Sequence, residues 1–103
     1  MRRPPHGHRD ASHGEVEAAL HACGICTLDL SMVGGGCPDI AACGGPLGSQ
    51  VWMVEVKNPE RRGKQREAEP HQASWMAAWP GPTVLLRDAQ EAAEWAARQR
   101  RQS

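Results

Sequence analysis

The 103 residues contain no Phe and no Tyr, and four Trp are the only aromatic side chains. Leu, Ile and Val together number 14, against 15 Ala. That is a thin supply of large apolar groups for a single small domain, and it favours a partner subunit, so a homodimer is expected. Charge of one sign is missing as well. Lys plus Arg and Asp plus Glu are 12 each, for a formal net charge of zero. This balance excludes a uniformly basic protein held to nucleic acid by bulk charge, but not a local basic patch. It also argues against disorder, which usually combines few large apolar residues with high net charge. Long hydrophobic runs are absent. The longest uninterrupted stretch of large apolar residues is Val51 to Val54, far short of the roughly 20 that a membrane span needs. The Arg-, Pro- and His-rich start, Met1 to Asp10, has no hydrophobic segment behind it, so no secretory signal is expected. The expectation is a cytoplasmic protein with its four Cys reduced, meeting neither membrane nor small-molecule substrate.

What is present reads as one α/β domain. Residues 1–12 form a flexible basic, His-rich arm, 13–99 the domain, and 100–103 a basic tail. Val16, Ala19, Leu20 and Cys23 fall on one face of a helix, and Gly24 stands where a helix-ending glycine belongs. Ile25 to Ser31 alternates with period two and reads as a strand, broken by Gly34, Gly35 and Gly36. Pro38 to Cys43 and Val51 to Lys57 read as a hairpin about a glycine-rich turn. Pro70 opens a second helix, with Ala73, Met76 and Ala77 on one face and Trp75 and Trp79 on a neighbouring one. Thr83 to Leu86 is a short buried strand. Asp88 caps a last helix, which turns Ala92, Trp95 and Ala96 inward. The predicted order is helix, three strands, helix, strand, helix, with a small mixed sheet flanked by helices.

The sharpest chemical pattern is Pro38-Asp39 followed, sixteen residues after Asp39, by Glu55-Val56-Lys57. Glu55 and Lys57 are i and i+2 on one strand and leave the same face. A hairpin partner brings Asp39 beside Glu55. Two converging carboxylates repel, so such a site is costly unless a cation fills it. Oxygen donors suit a hard divalent ion such as Mg²⁺, whose retained water becomes a nucleophile as its pKa falls. Lys57 can orient that water or offset charge developing on a phosphate. The same spacing also fits a plain salt bridge between Glu55 and Lys57 at a strand end.

The wider context resembles the PD-(D/E)XK nuclease superfamily, and most closely its small stand-alone VRR-NUC-like members of phages and bacteria. The resemblance is carried by Val33-Gly34-Gly35-Gly36-Cys37-Pro38-Asp39-Ile40, by Val54-Glu55-Val56-Lys57, and by Pro70, Gln72, Trp75 and Trp79-Pro80-Gly81. Leu86-Arg87-Asp88-Ala89 before an Ala-rich helix completes it. It runs from about Asp10 to Ala97. It implies a restriction-endonuclease-like core (αβββαβ) and a Mg²⁺- or Mn²⁺-dependent DNA endonuclease in a phage or bacterial host cell. Such enzymes often act on branched or flapped DNA, Holliday junctions included, and are often dimeric. It further implies Asp39 and Glu55 as metal ligands, Glu15 of the first helix as an assisting acid, Lys57 as the fourth catalytic residue, and Gln72 near the active site. One departure is Met76, where relatives tend to carry His after the first Trp of that helix. The departure favours an alternative reading, a catalytically silent DNA-binding or assembly module that keeps the nuclease fold.

Arg61, Arg62, Lys64 and Arg66 follow the motif strand directly and are expected to meet a phosphate backbone, moderated by Glu60, Glu67 and Glu69. Cys23, Cys26, Cys37 and Cys43 have poor spacing for one zinc ion and are read as small core residues. The five His look scattered, and Glu17 is expected to point away from the site. The Trp are assigned to the core rather than to base stacking.

Overall fold

A computed structural model describes residues 11–57 and 70–102. The arm before Ala11 and the loop carrying Arg61, Arg62, Lys64 and Arg66 lie outside the described residues.

The first helix, α1 (Ala11–Ala22), forms around the Val16 and Leu20 stripe, and both side chains are fully buried. Its end is set locally. Gly24 has φ 82°, the left-handed conformation that glycine adopts without a Cβ penalty. The Gly24 N–H donates to the His21 carbonyl and the Ile25 N–H to the Leu20 carbonyl, each at 3.0 Å. These are the two bonds of a Schellman termination. Two antiparallel hairpins follow, through β1 (Cys26–Asp29), β2 (Ile40–Cys43) and β3 (Trp52–Val56). A short 3-10 turn, Gly45–Leu47, sits between β2 and β3. There a Cβ on Gly45, whose φ is 55°, would stand 2.6 Å from the Gly24 carbonyl oxygen, so only glycine lets the two turns touch.

Helix α2 (Pro70–Ala78) crosses over to β4 (Thr83–Leu86), which lies parallel to β3. The sheet order is β1-β2-β3-β4, with β1 and β4 at the edges. Helix α3 (Ala89–Gln102) closes the chain as described. Asp88 is its cap, Oδ1 accepting the Glu91 N–H at 2.8 Å. The observed order of elements is that read from the pattern. Among the described residues the result is an α/β domain with a small mixed, open four-stranded sheet and three helices.

Register assigns the two faces. Ile40 pairs with Val54 and Val54 with Val84, while Val56 pairs with Leu86. These side chains share the face on which α1 and α3 pack, and the buried cluster joins Val16, Leu20, Ile40, Val54 and Leu86 to Ala92, Trp95 and Ala96. Trp52 meets Trp95 edge to face at 5.1 Å. The other face carries Leu28, Ala41, Met53, Glu55 and Leu85, since register alternates. No helix among the described residues is long and apolar enough to cross a membrane.

Several expectations need correction. Trp75 and Trp79 stack on each other with centroids 5.5 Å apart, but both are half-buried and stand outside the core cluster. Ala73 and Ala77 are exposed, so α2 does not bury the face assigned to it. Cys26 is exposed and Cys23, Cys37 and Cys43 are only half-buried. Strand β1 is shorter than Ile25 to Ser31 and turns its polar side, Thr27, toward α1, leaving Leu28 62 % exposed. As an edge strand it lies at the rim of the apolar layer, where alternation alone does not say which side is inward. The helices also reach further than the arm and tail assignments: Ala11 and Ser12 belong to α1, and Arg100 and Arg101 to the last turn of α3.

Candidate functional site

The strands β2 and β3 part just beyond the Ile40–Val54 pair. One step outward in register, Asp39 stands opposite Glu55, and both belong to the face turned away from α1 and α3. Asp39 is held from two sides. Its carbonyl accepts the Leu30 N–H at 2.7 Å, and its carboxylate Oδ2 accepts the Val56 N–H at 2.9 Å. The side chain thus takes the place of a ladder acceptor where the strands diverge. Proline at position 38 cannot supply a ladder N–H, which suits a fork at this point.

Glu55 is 2 % exposed and Lys57 is 7 % exposed. Lys57 Nζ lies 3.3 Å from Glu55 Oε2. The Lys57 N–H donates to the Leu86 carbonyl at 3.1 Å, so the parallel β3–β4 pairing carries the lysine in place. Cys37 completes the group. Its thiol pKa is pushed up, first by burial and then by the negative charges of Asp39 and Glu55. Both carboxylates therefore lie within electrostatic reach of one sulfur. The structure brings Asp39, Glu55 and Lys57 to one end of one sheet face. Their donor chemistry, two carboxylates with hard oxygens, fits Mg²⁺ or Mn²⁺.

Glu15 is placed differently. It is exposed on α1, next to the buried Val16, and α1 packs on the opposite face of the sheet from Glu55. Gln72 lies on α2 within its first turn, and its side chain is outside the described residues. Arg61, Arg62, Lys64 and Arg66 are likewise outside them.

A second polar group escaped the sequence reading. His13, Glu17 and Asp29 come together beneath α1. The first two are i and i+4 on one helix face, which was a legible signal, whereas Asp29 arrives only through tertiary packing of β1. Comparison of the chain with protein-family models, curated proteins and solved structures returns no match.

Proposed function

We propose that the chain is a metal-dependent deoxyribonuclease of the PD-(D/E)XK type, VRR-NUC-like, with a restriction-endonuclease-like core. The observation that carries this reading is the meeting of Asp39, Glu55 and Lys57 at the fork of β2 and β3. Asp39 and Glu55 would hold Mg²⁺ or Mn²⁺. When bound, such an ion lowers the pKa of a coordinated water and withdraws charge from a phosphodiester. The chain's own part is positional. The Val56 N–H fixes one oxygen of Asp39, β3 places Glu55, and Lys57 follows the strand end, held there by its N–H on the Leu86 carbonyl. Lys57 offers its ammonium to the water or to the phosphoryl oxygens. Arg61, Arg62, Lys64, Arg66 and Gln72 belong to this reading as DNA contacts, and the homodimer as the acting unit on branched DNA in a phage or bacterial host cytoplasm; Glu15, on the far side of the sheet, has no part in it.

A second reading, a silent DNA-binding or assembly module, draws on the burial of Glu55 and Lys57, which already pair with each other. One experiment separates the two. Four-way junction, flap and linear DNA are incubated with the protein under Mg²⁺, Mn²⁺ or EDTA, beside Asp39→Asn and Lys57→Gln. Metal-dependent cutting that drops at least 100-fold in both variants is the expected result, in line with the usual weight of a single catalytic group. Binding without cutting under either metal selects the second reading.

A further inference from the structure

Beneath α1, three ligating side chains of mixed chemistry converge on the face of the sheet opposite Glu55. His13 and Glu17 are one helical turn apart on α1, and Asp29 is the last residue of β1. One donor atom from each lies within 4.8 Å of the other two. His13 Nε2 is 3.8 Å from Glu17 Oε1 and 3.7 Å from Asp29 Oδ1. Both separations are too long for hydrogen bonds. They are close to the edge of about 3.4 Å that two donors span when each sits about 2.1 Å from one tetrahedral ion. We infer that His13, Glu17 and Asp29 form a zinc site that ties the start of α1 to the edge strand β1.

The donor set chooses the ion. A neutral imidazole nitrogen with two carboxylate oxygens suits Zn²⁺, whereas Mg²⁺ prefers oxygen donors and retained waters. Burial chooses the geometry. The imidazole is 2 % exposed, the Glu17 side chain 16 % and the Asp29 side chain 33 %. The imidazole is thus the inner donor, and Asp29 on the edge strand is the one nearest water. The carboxylates are oriented by a second layer. Thr27 Oγ1 donates to Glu17 Oε2 at 3.5 Å and also lies 2.7 Å from His21 Nε2. The Ser31 N–H and hydroxyl both donate to Asp29 Oδ1, at 2.8 and 2.7 Å. Outer partners of this kind fix the direction of metal-binding side chains.

The site stands apart from the nuclease reading in both place and purpose. Asp29 pairs with Ile40, and Ile40 faces α1, whereas Glu55 faces the other way. The inferred role is structural: a metal cross-link between two elements of a domain with a thin core.

The test uses the full chain, stripped with EDTA, dialysed and kept in a phosphine reductant. Zn²⁺ uptake is measured by equilibrium dialysis and elemental analysis in excess Mg²⁺, together with Tm. The variants are Glu17→Gln, Asp29→Asn, Asp39→Asn and Cys26→Ser/Cys43→Ser, each checked by circular dichroism. The expected result is one Zn²⁺ per chain and a raised Tm, both kept in Asp39→Asn and in the double Cys variant. In Glu17→Gln and Asp29→Asn the affinity falls at least tenfold while the fold is retained. No uptake by the parent chain, uptake unchanged in Asp29→Asn, or uptake lost with the Cys would overturn the inference. The Asp39→Asn arm keeps this outcome separate from that of the nuclease assay.

Discussion

Replacing Lys57 by Met leaves Glu55, 2 % exposed, without the ammonium that lies 3.3 Å away. Breaking a buried pair from one side costs about 3–5 kcal/mol, because the remaining charge stays desolvated. Removing both charges avoids that penalty. Lys57→Met should therefore lower urea-denaturation stability by roughly 3 kcal/mol, and Glu55→Gln/Lys57→Met should recover most of the loss. Recovery of stability without recovery of DNA cutting would separate the structural role of the pair from its chemical one. Cys37 reports on the same site. Its thiol pKa is raised, so the fold favours the protonated form. The stability this contributes is present below the ordinary thiol pKa and is lost as pH rises through the higher folded value. Alkylation at mildly alkaline pH should be slower at Cys37 than at the exposed Cys26, followed by peptide mass mapping. Asp39→Asn removes one of the charges that raise the pKa and should speed Cys37 labelling. An unchanged rate would mean that Asp39 does not act on the sulfur.

Elements whose ends are written in a few adjacent residues were legible from the chain. The Gly24 stop of α1 and the Asp88 cap of α3 both rest on local hydrogen bonds between near neighbours. Asp88→Ala should cost about 1 kcal/mol in thermal or chemical denaturation, the usual weight of an N-cap. Gly45→Ala should cost more, since it meets a left-handed backbone and the Gly24 carbonyl together. A loss no larger than that of Asp88→Ala would show that the two turns can separate without penalty. Helix α3 was also read correctly on its inner face, because Ala92, Trp95 and Ala96 follow a clean helical period. Helix α2 was not, and strand β1 is shorter than its alternation. Trp75 and Trp79 mark an aromatic edge that periodicity assigned to the core, and they remain half-buried. In β1 the alternation was visible, but an edge strand can turn either side inward, and here the polar side meets Glu17 and His21 of α1.

At the scale of the whole molecule, zero net charge makes any DNA binding depend on local patches and on salt. Changing Arg61, Arg62, Lys64 and Arg66 together to Ala should weaken binding to all DNA forms and flatten the dependence of log K on log salt by up to about four contacts' worth. An unchanged slope, measured by fluorescence anisotropy over a range of NaCl, would remove this loop from the interface. The homodimer expected from the thin core is checked by sedimentation equilibrium across a concentration series. The sequence by itself determined the order of the elements, their local stops and caps, and the pairing of Glu55 with Lys57 on one strand face. These follow from spacing along one segment, where backbone period fixes direction. Only the tertiary structure decided that Asp39 caps the Val56 N–H at the fork, that Glu15 stays on the far side of the sheet, and that Asp29 joins His13 and Glu17. Each of these depends on which face of a strand or helix meets its neighbour, and that is set by burial of the shared apolar layer rather than by any one segment.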